Sequence, residues 1–174
     1  MQINLAKTPQ ENILDLVRDA NAGLQLTAAQ VTIGAGAALD GDATYDSQVT
    51  LTAVPNAGFS GTKRIRYNRL RLDQGTASTV ASVQVTDTDT EATVATKVAA
   101  AYGLKEGEFT TSDLVAPVNE DTNGSVVITP VDGSLLYNGA PVTVTLTIAD
   151  ADVPLETAIA NDGMNGFDQP TAQG

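Results

Sequence analysis

Cysteine, histidine and tryptophan are all missing from the 174-residue chain, and aromatic residues make up only 4% of it. Without histidine or cysteine there is no Ser-His-Asp triad, no thiolate nucleophile and no histidine-ligated zinc. A disulfide framework is excluded as well, although the lack of cysteine leaves the redox compartment open. No stretch approaches the roughly 18–20 uninterrupted apolar residues that a bilayer-spanning helix needs, and the first residues lack a basic start followed by an apolar run. A soluble protein with no export signal and no membrane partner is expected. Fixed-period repeats are absent too, which argues against solenoids and propellers.

Basic residues are scarce, and their placement is uneven. The chain has nine Lys and Arg against 21 Asp and Glu, a formal net charge of −12. Five of the nine lie within "KRIRYNRLR", Lys63 to Arg71, which contains no acid; the remaining residues carry four bases and all 21 acids, a net −17. The rest of the composition is rich in Val, Ala, Leu, Ile and Thr, which favours short strands over a helical bundle. A length of 174 residues suits one domain with a sizeable core. The prediction is one α+β, mostly β domain, an antiparallel β-sandwich-like body with two short helices and extended terminal arms. Its divisions are an N-terminal arm at 1–7, a body at 8–160 and a C-terminal arm at 161–174.

The helices are readable from their ends. Thr8, Pro9 and Glu11 form a capping-box start, Ile13, Leu14, Leu16, Val17 and Ala20 follow at helical spacing, and Gly23 can terminate the run. A helix over about 9–21 is predicted. A second, over about 90–102, is predicted from a capping box between Thr88 and Glu91, the spacing of Val94, Val98, Ala101 and Tyr102, and the stop at Gly103.

Strands show as alternation. In "QVTLTAV", Val49, Leu51 and Ala53 alternate with Gln48, Thr50 and Thr52, giving one apolar and one hydroxyl-rich face. "PNAGFSG" then turns the chain, so the basic segment is the expected hairpin partner. Ile65 and Tyr67 are odd-numbered, whereas Leu70 and Leu72 are even, so a bulge near Asn68 is predicted. That bulge would set Arg64, Arg66, Arg69 and Arg71 on the face opposite the apolar set. Further strands are expected near Gln30 to Ile33, at Val83 and Val85, over Phe109 to Thr111 and Val126 to Thr129, and over Val142 to Ile148. One helical turn is expected from Pro154 to Ala160.

Chemical motifs are few. The pairs Asp87 with Asp89 and Asp150 with Asp152 have the side chains for acid-base work, but residues two apart on a strand are as simply a solvated edge. "NEDTNGS" puts Asn119, Asp121 and Asn123 at calcium-loop spacing, yet Pro130 stands where the bidentate glutamate belongs. A polar turn explains those residues more simply, so no metal and no cofactor is expected. "GAGAAL", Gly34 to Leu39, lacks the remaining glycine and the lysine of phosphate-binding loops. Tyr67 among the arginines offers a stacking platform for nucleic acid, but the −17 remainder would repel a polyanion at long range. The basic strip suits a protein surface better, whether acidic patches on sister copies or on a larger assembly. The alternative is a solvated hairpin face whose arginines pair locally, at ~0–1 kcal/mol per exposed pair.

"VTLTAVPNAGFSGTKRIRYNRLRL", "GSLLYNGAPVTVTL" and "PLETAIANDGMNGFD" resemble a family of small virion structural proteins from tailed bacteriophages, especially large contractile-tailed ones. The resemblance runs over nearly the whole chain from the first helix onward, on turn and strand patterns. It implies a non-enzymatic particle component assembled in the host cytoplasm. The first expectation is a capsid decoration protein on the major capsid protein, present in many copies or as a homo-oligomer; a neck, tail or baseplate protein is the competing one. A calcium-dependent adhesion or glycan-binding module is a third. The expected interface comprises Lys63, Arg64, Arg66, Tyr67, Arg69 and Arg71, with Met164 and Phe167 on the C-terminal arm.

Overall fold

The computed structural model describes residues 2–75, 82–86, 88–117 and 122–148. Asn119, Asp121, Asp87, Asp150 and Asp152, the expected turn at 154–160, and the 161–174 arm with Met164 and Phe167 lie outside the described residues.

Helix α1, Pro9–Ala20, begins as its sequence predicts. The Thr8 amide donates to Glu11 Oε2 at 2.8 Å and the Glu11 amide donates to Thr8 Oγ1 at 3.2 Å, so both orphan groups are satisfied. Ile13, Leu14 and Val17 face inward, each contributing about 1.5–3 kcal/mol by burial.

The first sheet is built around β3, Ser47–Ala53. Strands β1, Val31–Ile33, and β2, Ala37–Ala38, pair antiparallel with its two halves along one edge. Strand β4, Thr62–Tyr67, runs antiparallel along the other, with Thr50 opposite Arg64 and Gln48 opposite Arg66. The hairpin predicted between "QVTLTAV" and the basic segment is therefore present.

The predicted bulge is not. Strand β4 stops at Tyr67, and after Asn68 and Arg69 the chain enters β5, Leu70–Arg71, which pairs in parallel with β9, Tyr137–Asn138. Asn68 marks the change of partner: its Oδ1 accepts from the Asp46 amide at 2.9 Å and its Nδ2 donates to the Thr44 carbonyl at 3.0 Å, imitating one more rung of the ladder. A short helix, α2, Leu72–Gly75, follows, with Leu72 completely buried at its start. Leu70, placed in the apolar set by the bulge, is 46% exposed.

The second sheet has the order β6, β10, β8, β7, formed by Val83–Val85, Val142–Ile148, Gly124–Pro130 and Phe109–Val115. Its pairings are antiparallel except β6 with β10, which is parallel. Helix α3, Glu91–Tyr102, contacts β6 and β7. Its cap is Thr90 with Thr93, not Thr88 with Glu91; the Thr88 hydroxyl is engaged with that of Thr86 instead. Ala101, expected on the apolar face, is exposed, while Ala99 is buried with Val94 and Val98. Gly103 ends the helix in the left-handed conformation, as predicted.

Among the described residues the architecture is α+β and mostly β, and no helix is long and apolar enough to cross a membrane. Side chains from α1, α3 and both four-stranded sheets join one contiguous core, which includes Leu14, Val49, Val98, Ile128 and Leu146. The segment 133–139 runs through it. Ser134, Leu135, Leu136 and Tyr137 are all buried, between Gly133 and Gly139 at positive φ. Gly139 has φ 101°, a conformation that strains any residue with a side chain, and a Cβ there would also displace the Asp73 carboxylate from its place 2.4 Å away.

Candidate interaction surface

The five bases of the central segment part company. Arg64 and Arg66 project from the outer face of β4, opposite Thr50 and Gln48 of β3. A row of threonines borders them, because register aligns Thr32, Thr52 and Thr62 across three strands. The alternation of Thr50 and Thr52 signalled this hydroxyl-rich face; the addition of Thr32 and Thr62 to it depended on strand pairing. Arg66 forms an ion pair with Asp42 at 3.3 Å while its side chain remains 60% exposed. The Thr44 and Tyr45 amides, helped by Arg66, hold the Asp42 carboxyl below its usual range.

Lys63 has the opposite parity and lies at the rim of the inner face, beside a groove of about 270 Å³. Phe59, Leu24, Val31 and Ile65 line that groove as well, and Phe59 is 42% exposed. Among the described residues neither Lys63 nor Arg64 has an ion pair, so their charges are uncompensated locally. The backbone of β4 is equally open, since β3 is its only partner strand among the described residues. The Ala53 amide donates to the Gly61 carbonyl, and the antiparallel alternation that follows points the N–H and C=O of Thr62, Arg64 and Arg66 away from β3.

Arg69, expected beside Arg64 and Arg66, turns inward instead. Its Nε donates to Ser47 Oγ at 2.6 Å, one terminal nitrogen donates to the Ser134 carbonyl at 2.9 Å, and its amide donates to Asp46 Oδ1 at 3.0 Å. Burial raises the Asp46 carboxyl, but hydrogen bonds from Ser47, the Arg69 amide and Asn138 outweigh it and hold the group below its ordinary value. Arg71 is exposed and bound by both oxygens of Asp73, at 3.0 and 2.6 Å. The single four-arginine face is thus corrected to two outward arginines, one structural arginine and one locally paired arginine. The cause is the change of strand partner after Tyr67.

Tyr67 is 5% exposed and cannot be a stacking platform. Its hydroxyl donates to the Leu135 carbonyl at 3.0 Å, and burial pushes the phenol up to about 12. Burial also raises Tyr137, whose hydroxyl accepts from the Lys105 amide at 2.8 Å. An unfolded tyrosine ionises near pH ~10. The folded protein keeps the Tyr67 proton to about 12, so this contribution to stability is present below the unfolded value and is lost as pH rises through the folded one. Urea midpoints measured across that alkaline range should fall more steeply for the wild type than for Tyr67→Phe. Equal slopes would show that Tyr67 contributes nothing to alkaline unfolding.

Of the calcium-loop candidates only Asn123 is described, and it is exposed. Among the described residues no group of three or more acidic side chains is arranged to hold a metal ion. Asp89, also considered for acid-base work, is held well below the carboxylate range by Lys97 and the Thr86 amide. That is an N-terminal anchor for α3.

Sequence reading missed the polar cluster inside the core. Glu108 Oε2 accepts from Ser134 Oγ at 2.5 Å, the Leu135 amide at 2.8 Å and the Leu136 amide at 3.1 Å. Nothing in the local pattern "KEGEF" distinguishes this buried glutamate from its exposed neighbour Glu106.

The fold and this surface define a β-rich domain with a cationic edge strand. Residues 2–174 match the model of a family of unknown function, DUF7941, and the chain belongs to that family. No curated protein and no solved structure matches it.

Proposed function

We propose that the chain is a non-enzymatic structural component of a tailed-phage virion, acting by protein-protein contact as a capsid decoration protein. The observation that carries this function is the edge strand β4, which among the described residues has no partner on its outer side and presents the charges of Lys63 and Arg64 without an ion pair, on a chain of net charge −12. Such an edge is a ready template for another chain, and its charge steers it to acidic partners while disfavouring cationic ones. The resemblance of the β3–β4 hairpin, the 133–146 segment and residues 154–168 to small virion structural proteins supplies the biological setting. Placement in the neck, tail or baseplate uses the same edge against a sheath or tube protein.

Purified protein should cosediment with phage particles that lack it and saturate at a fixed copy number. Lys63→Glu combined with Arg64→Glu should weaken that binding about tenfold or more, because like charges across an interface disfavour encounter and retention alike. Absence of cosedimentation with either capsids or isolated tails would overturn the assignment; binding to tails alone would move the protein from the shell to the tail.

A further inference from the structure

We infer that the open edge of β4 receives residues 149–153 of a second copy of this chain as an added strand. This rests on the assembly role proposed above and names one partner for its cationic edge. The two sides of that edge differ in chemistry. On the outer face stand Arg64 and Arg66; on the inner face lies the apolar groove lined by Phe59, Ile65 and Leu24, with Lys63 at its rim. Between them the outward N–H and C=O groups of Thr62, Arg64 and Arg66 await a strand.

An occupant must therefore be extended, acidic on one face and apolar on the other. Residues 149–174 contain five acids and no base, against five bases and no acid in residues 63–71. Within them "ADADV", Ala149 to Val153, has the required period of two: Asp150 and Asp152 share one face, Ala149, Ala151 and Val153 the other. With the acids beside Arg64 and Arg66, the apolar residues fall on the side of the groove. Residues on the arginine face are also those whose backbone points at β4, so Pro154, which has no N–H to donate, stops the added strand after Val153. Main-chain bonds would give this contact its affinity and the alternating side chains its register. Donor and acceptor are different surfaces, so the contact is head-to-tail and builds a ring or a chain of copies, the geometry a lattice component uses.

Charge exchange between full-length chains tests this. Sedimentation velocity of the free protein over a concentration series should show reversible self-association that weakens with added salt. Arg64→Glu with Arg66→Glu should weaken it about tenfold or more, and so should Asp150→Lys with Asp152→Lys, with the melting temperature of each variant confirming that it folds. Mixed together, the two variants should associate again, since each then offers a strand of opposite charge to the other's edge. That rescue distinguishes a strand given to another copy from one folded back on its own chain. A wild type that stays monomeric at the highest soluble concentration, a reversal without effect, or a mixture that fails to associate would each overturn the inference. Cosedimentation with phage particles is measured separately, so the strand contact can fail while the virion role stands.

Discussion

Glu108→Ala should lower the folding stability by about 3–5 kcal/mol, a large share of the 5–15 kcal/mol typical of a domain. One carboxylate oxygen of Glu108 accepts three hydrogen bonds in a site that is only 9% exposed, and two of the donors are backbone amides. Truncation strands the Leu135 amide inside the protein, at about 1–3 kcal/mol, takes the acceptor from the Ser134 hydroxyl, leaves the Leu136 amide only its longer bond to Ser134 Oγ, and opens a cavity besides. Ser134 Oγ already accepts from the Tyr137 amide at 3.0 Å and the Leu136 amide at 3.3 Å, so it cannot take up the Leu135 amide as well. Glu108→Gln keeps an acceptor oxygen in place and should cost less than half as much. Urea denaturation followed by far-UV circular dichroism checks both variants. Equal losses in the two would mean that volume, and not hydrogen-bond acceptance, is what Glu108 supplies.

Tyr137→Ala should cost about 3–5 kcal/mol, the range for removing a large aromatic ring from a core. Tyr137 has no exposed surface, its backbone pairs with Leu70 in the parallel ribbon of β5 and β9, and its hydroxyl accepts from the Lys105 amide. Tyr137→Phe separates the ring from the hydroxyl and should cost only about 1 kcal/mol, the worth of one hydrogen bond to a partly exposed amide. Tyr137 also belongs to the buried segment that Arg69 and Tyr67 grip through the Ser134 and Leu135 carbonyls. Loss of Tyr137 is therefore expected to loosen the end of β4. Hydrogen exchange at Ile65 to Leu70 should be faster in Tyr137→Ala than in Tyr137→Phe, and identical protection would show that the two regions are not coupled.

The helices were legible because their signals are local. Thr8 and Glu11 satisfy each other across three residues, and Gly103 supplies the left-handed stop wherever the rest of the chain goes. The one error of capping, Thr88 for Thr90, arose among near-identical threonines in "TDTDTEAT", any of which can cap, so packing of Val94 and Val98 chose the register. Strands β3, β4 and β10 were legible for a related reason: period-two alternation follows from the pleat alone. Their partners were not. Strand β9 and the parallel pairing of β5 are two residues each, too short to leave a pattern.

The same division holds for the surface. That five bases cluster in one acid-free run, on a chain with no histidine and no cysteine, is a property of the sequence and needs no coordinates. Composition and alternation likewise determined a mostly β body with two capped helices, since helix caps and pleat periodicity are interactions among near neighbours. Which arginines face outward was decided only in three dimensions, where Arg69 meets Ser134 and Tyr67 meets Leu135 across more than sixty residues of chain. Burial of Glu108 against Ser134 belongs to the same class. Contacts so distant along the chain depend on where the backbone leaves one sheet for another, and that choice is made by the core as a whole.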